Sequence, residues 1–185
     1  MGGGKSTAAR FFEDMGYRRI DSDQVVRDHL LTNPDVVELI RQRLPDVIDA
    51  RGQVQRSILA RHAFADDETL GWLEGLLHPR LHAHWRETLA MAPSASWVVE
   101  VPLLFEKGLE NWFDFIVCVA TSSRHQLARL KERGIPQTLA EQRISKQLPL
   151  AQKLEKADFV LTNDGTPHAL RLQVARLAGL LSDRG

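Results

Sequence analysis

Six residues near the start of the chain, Gly2-Gly3-Gly4-Lys5-Ser6-Thr7, constrain what it can fold into more than any other stretch. Gly-Lys-Ser at 4–6 is the back half of the phosphate-binding pattern G-x-x-x-x-G-K-[ST]. Without a Cβ, glycines let backbone N–H groups turn inward around an anion. Lys5 carries a mobile point charge that suits the β- and γ-phosphates of a nucleotide. The Ser6 hydroxyl is a hard oxygen donor suited to Mg²⁺. Such a loop works only when it feeds the N-terminus of a helix, whose dipole and exposed N–H groups complete the anion site. Residues 6–15 have the apolar pattern of that helix, with Phe11, Phe12 and Met15, and Gly16 closes it. On these residues alone, a flexible glycine-rich terminus competes with the phosphate loop.

Beyond the loop the chain alternates strands and helices. Residues 17–20 form a short strand candidate that ends in Asp21-Ser22-Asp23. Carboxylates at a strand's C-terminal end sit where open α/β sheets bind ligands, although Asp21 or Ser22 can equally cap the next helix. Asn33-Pro34 breaks that helix, and helices are expected over 35–44, 55–65 and 68–77. His78-Pro79 should interrupt or kink the last of these before the pattern resumes to about Met91. His78 and His82 have the spacing to share a metal but lack a third ligand in a recognised motif, so a polar helix face is the simpler reading. Trp97-Val98-Val99 reads as a buried strand ending in Glu100. The run 114–120 reads as a central parallel strand buried on both faces. Two cation-bearing helices follow, over 122–134 and from Pro136. They carry Arg124, Arg129, Lys131, Arg133, Arg143 and Lys146, and read either as a solvated face or as a mobile lid. A strand at 158–161, a turn at Thr162-Asn163-Asp164-Gly165 and an amphipathic helix over 166–182 complete the pattern. Alternation of this kind implies a parallel sheet with helices on both faces.

Composition narrows the function classes. Lys plus Arg and Asp plus Glu both number 24 in 185 residues, so a general polyanion binder is unsupported and no nucleic-acid partner is expected. Hydrophobic residues make up 43% of the chain, enough for a packed core. The single cysteine, Cys118, lies in an apolar run and reads as a buried, inert thiol in a reducing compartment. No run approaches transmembrane length and no secretory signal is visible, so a cytoplasmic protein without a membrane partner is expected.

Taken as a set, the motifs carry a resemblance. Gly-Gly-Lys-Ser-Thr is followed by Ile-Asp-Ser-Asp (20–23), Leu-Glu-Gly-Leu-Leu-His-Pro (73–79), Val-Pro-Leu-Leu-Phe-Glu (101–106), an Arg-rich helix and Ala-Asp-Phe-Val-Leu-Thr-Asn-Asp-Gly (157–165). Their order and spacing resemble the dephospho-CoA kinase family over essentially the whole chain. The segments at 73–79 and 102–106 are the specific ones, because other P-loop kinases lack them. The resemblance implies a three-layer P-loop NTPase fold, with a parallel sheet flanked by helices. Its core would be 1–32, 93–120 and 150–185, with a helical acceptor-binding insert at about 33–92 and a helical lid at about 122–149. It also implies ATP-dependent phosphorylation of the ribose 3′-hydroxyl of dephospho-CoA, the last step of coenzyme A synthesis, with Mg²⁺. Another P-loop kinase, or a non-catalytic nucleotide binder, is the alternative.

Roles carry over by position. Gly2, Gly3, Gly4, Lys5, Ser6 and Thr7 would cradle the ATP phosphates, with Lys5 on the transferring group and Ser6 on Mg²⁺. Asp23 would orient and deprotonate the attacking hydroxyl, and Arg133 would stabilise the transferred phosphoryl. Arg56, Glu74 and His78 would bind the acceptor, and Asn163 to Gly165 would lie near the adenine. Two departures stand out. Glu100 occupies a position where the family commonly has Asp, and could reach Mg²⁺ through a water. The family also opens with a strand and a glycine pair before this point. The resemblance therefore implies a natural protein longer by about ten residues, with Met1 internal.

Overall fold

The computed structural model describes residues 2–145 and 147–182, less the side chains of Gln142 and Arg143. Met1, Lys146 and the Arg143 side chain thus lie outside the described residues. In chain order the elements begin with α1 (Lys5–Glu13), β1 (Arg18–Asp21), α2 (Ser22–Val25), α3 (Pro34–Arg43), α4 (Arg56–Ala65) and α5 (Asp67–Ala90). After them come β2 (Trp97–Glu100), β3 (Val117–Ala120), α6 (Ser123–Glu132), α7 (Gln137–Ser145), α8 (Leu150–Lys156), β4 (Phe159–Thr162) and α9 (Pro167–Ser182). Two compact units emerge. One is Met1–Arg19 with Ser96–Gly185, and the other is Ile20–Ala95.

The first unit is built on α1. Gly4, at φ 94°, turns the loop into the helix. At the other end Gly16, at φ 93°, lets the Gly16 N–H reach the Glu13 carbonyl (3.0 Å) and the Tyr17 N–H reach that of Phe12 (3.2 Å). This closure brings the Tyr17 ring edge-on to Phe12, with centroids 5.2 Å apart, and fixes the direction in which β1 leaves. β1 and β2 form a two-stranded sheet, with the Arg18 N–H donating to the Ser96 carbonyl at 2.9 Å. β3 and β4 form a second, parallel sheet in the register Val117 to Phe159 through Ala120 to Thr162. The core of this unit joins Ala8 and Phe12 of α1, Leu161 of β4, and Leu170, Val174, Leu177 and Ala178 of α9.

The strand expected over 114–120 is shorter and less buried than its apolar run implies. It begins at Val117, and all four of its residues are half-exposed. Two causes are visible. The Asp158 carboxylate takes the Ile116 N–H at 2.7 Å, and the Ile116 carbonyl accepts from both Asp158 and Phe159, which closes the ladder there. Among the described residues β3 pairs with β4 alone, so only one of its edges is covered.

The second unit is helical. Its core includes Val36, Ile40 and Val47, all fully buried, and Leu59, Leu73, Leu76, Leu77, Leu81 and Trp85. Asn33 caps α3, accepting from the N–H groups of Asp35 and Val36, with Pro34 in the first turn. Asp66 caps α5 through the Thr69 N–H (2.8 Å) and hydroxyl (2.6 Å). Of the interruption or kink expected at His78-Pro79, the interruption is absent, and α5 runs unbroken through Pro79. Proline removes one backbone donor. Next to it, the Arg80 guanidinium donates to the Leu76 carbonyl at 2.8 Å, and α5 also packs on α4. No helix in the described residues is long and apolar enough to cross a membrane.

Candidate active site

The glycine loop and the first turn of α1 form one wall of the site. Gly2 (φ 73°) and Gly4 (φ 94°) both occupy the left-handed region that only glycine enters cheaply. Gly4 is also required by its surroundings, because a Cβ there would come within 1.9 Å of Asn163 Nδ2. Ser6 and Thr7 are exposed at the start of α1. The Gly4 carbonyl accepts from the N–H groups of Thr7 and Ala8, which leaves the helix opening toward the loop.

Glu100 stands at the end of β2, its side chain only 1% exposed. Its Oε2 accepts from Lys5 Nζ at 3.0 Å, and its Oε1 accepts from Arg19 Nε at 2.7 Å. Burial pushes the Glu100 carboxyl up, but the Ser6 hydrogen bond, the Lys5 charge and the hydrogen bonds of Lys5 and Arg19 together hold it below the ordinary carboxylate range. Lys5, Ser6 and Glu100 therefore meet, as the loop pattern and the strand-terminal acid suggested. Arg19 was missed, since nothing in the local sequence links it to an acid 81 residues away.

A second network braces the loop from behind. Asn163 is buried, and its side-chain amide donates to the Gly3 carbonyl at 2.9 Å. Arg129, on α6, donates to the Asn163 carbonyl at 2.7 Å and reaches the Gly2 carbonyl and the Thr121 hydroxyl at 3.5 Å. Thr121 and the Ser122 N–H both donate to Asp164 Oδ1, with the His125 ring 3.1 Å away. The Ser122 N–H, the Thr121 hydroxyl and His125 hold the Asp164 carboxyl well below the usual range. Gly165 is exposed just beyond, in the turn before α9. Arg133 is exposed at the C-terminal end of α6, one turn beyond Arg129. Gly134 ends that helix, donating to the Lys131 carbonyl while Ile135 donates to Leu130. The stretch from Leu148 into α8 is tied to the segment after β2. Glu106 accepts from the Leu148 N–H and from Lys153 Nζ, both at 2.7 Å.

The remaining expected residues belong to the helical unit. Asp23 is exposed in the first turn of α2, where Asp21 is the cap and accepts from the Gln24 N–H. A carboxylate there is favoured by the helix dipole. Arg56 is exposed at the start of α4. Glu74 and His78 lie half-buried one turn apart on α5, and the His78 ring stacks on that of His82 with centroids 6.2 Å apart.

The donors around Ser6 fit magnesium. A hydroxyl beside a carboxylate is a hard, oxygen-only set, and Mg²⁺ ordinarily completes its shell with waters and nucleotide phosphates. Both Glu100 oxygens already have cationic partners, so the hydroxyl is the direct ligand this geometry offers.

A glycine loop opening a helix, a lysine and a hydroxyl in its first turn, and an acid at a neighbouring strand end define a P-loop phosphotransferase of α/β architecture. The sequence model of dephospho-CoA kinase matches residues 1–168. The chain belongs to the dephospho-CoA kinase family, the enzymes of the final step of coenzyme A biosynthesis. It is 35% identical over 185 residues to the dephospho-CoA kinase of Thermosynechococcus vestitus, covering 98% of this chain and 91% of that one. Against the Geobacillus kaustophilus dephospho-CoA kinase it is 31% identical, covering 92% and 88%. Among solved structures, a Thermus thermophilus protein superposes with a TM-score of 0.84 at 31% identity, covering 97% of this chain and 93% of that chain.

Proposed function

We propose that this chain transfers the γ-phosphoryl group of ATP to the ribose 3′-hydroxyl of dephospho-CoA, giving coenzyme A and ADP, in the cytoplasm. The observation that carries this reading is the meeting of Lys5, Ser6 and Glu100 at the mouth of the Gly2–Gly4 loop. In this mechanism the loop N–H groups hold the phosphates of ATP and Lys5 carries the charge of the transferring group. Ser6 would hold Mg²⁺, which would supply neutralisation of the phosphate charge. The Asp23 carboxylate accepts the proton of the 3′-hydroxyl as its oxygen bonds to phosphorus, and the bond to the β–γ bridging oxygen breaks to release ADP. Arg133 carries charge on the phosphoryl in flight. Such chemistry needs positioning and fixed charge rather than covalent help. Segment 33–92, with Arg56, Glu74 and His78, receives the acceptor, and 122–149 acts as the lid. Gly165 borders the adenine, and Asn163 serves the nucleotide by shaping the loop.

The test is an ADP-release assay with ATP, Mg²⁺ and dephospho-CoA, with coenzyme A identified as product. ADP release dependent on dephospho-CoA is expected. Folded protein that binds ATP but makes no coenzyme A overturns the assignment of the acceptor.

A further inference from the structure

Arg19 lies outside the loop, yet it shares an acid with the loop lysine. Its side chain is 15% exposed, with Nε and Nη2 converging on Glu100 Oε1 at 2.7 and 2.6 Å. Its Nη1 also lies 3.8 Å from Glu13, whose side chain is half-exposed and screened by solvent. The other Glu100 oxygen faces Lys5. One buried carboxylate is thus shared by two cations. A lone carboxylate 3.0 Å from the lysine would neutralise it and compete with a phosphate for it. Two N–H bonds from a rigid guanidinium hold the carboxylate in place and draw on its charge, leaving the lysine net positive.

We infer that Arg19 is a positioning residue for the nucleotide. It pins Glu100 so that Glu100 aims Lys5 at the loop mouth without cancelling its charge. This rests on the reading of residues 2–7 as the ATP-phosphate site. It assigns Glu100 to the steering of Lys5.

Calorimetric titration with ATP, without acceptor, reads the effect directly. Arg19→Met is expected to raise the Kd for ATP about tenfold, as Glu100 then pairs with Lys5 alone. Adding Glu100→Gln to that variant should bring Kd back to within about threefold of the wild type, because the competing charge is gone. A residue that only supports the fold would give no such recovery. Arg19→Lys keeps the charge and loses the fork, and should weaken ATP binding about threefold. It carries the test if Arg19→Met does not fold. An unchanged Kd in folded Arg19→Met or Arg19→Lys overturns the proposal, and so does a double variant as weak as the single one. Wild-type protein that binds no ATP fails the phosphate-site reading itself, and this inference with it.

Discussion

At the scale of single residues, a buried charge is tolerable only when it is matched. Glu100 is matched by two cations. Removing it takes from the largely buried Arg19 its two short carboxylate contacts. Glu100→Ala is therefore expected to lower stability by about 3 kcal/mol, measured by urea denaturation. Asp23 is a different kind of acid, exposed and, in the proposed mechanism, the acceptor of the hydroxyl proton. Asp23→Asn should cut kcat by at least about a hundredfold while leaving the Kd for ATP unchanged, as read by ADP release and by titration. The loop residues were legible because their spacing is local and each type has a fixed chemical duty. Arg19 and the bracing role of Arg129 were not. Their partners lie 81 and 34 residues away and meet them only through strand adjacency and helix docking.

Among the elements, ends were easier to read than interiors. Gly16 marked the end of α1 because its φ of 93° is one that glycine alone accepts readily. No atom lies within 4 Å of a Cβ built there, so Gly16→Ala meets only backbone strain. The expected loss is about 1 kcal/mol in chemical denaturation. At Pro79 the helix is not interrupted, so a proline inside an apolar pattern did not mark an element's end. α8 gave no periodic signal at seven residues. It matters all the same, since its Lys153 holds Glu106. Burial raises the Glu106 carboxyl, but Lys153 and the Leu148 N–H outweigh it, so its folded pKa lies below the ordinary value of 4.5. A depressed carboxyl contributes stability above its unfolded pKa and loses it as pH falls through the folded one. Glu106→Gln should thus cost about 2 kcal/mol at pH 7, with the deficit shrinking below about pH 4, in thermal melts across pH.

For the molecule as a whole, stability and ligand are linked. ATP bound to the folded chain alone, at a hundred times its Kd, should add about 2.7 kcal/mol, seen as a rise in Tm. Lys5→Met should abolish most of that rise. The alternation of strands and helices made the α/β class legible early. The division at Arg19 and Ser96 was not, because the apolar periodicity of the helices at 34–90 does not say which other helices they pack on. That division has an architectural consequence. The chain leaves the first unit after Arg19 and returns at Ser96, and Arg18 and Ser96 share a backbone hydrogen bond of 2.9 Å. Everything between them departs and comes back at one doorway. Such a segment is a cassette, and a helical cassette from a relative with a different alcohol preference could be transplanted through that doorway while the ATP machinery stays intact.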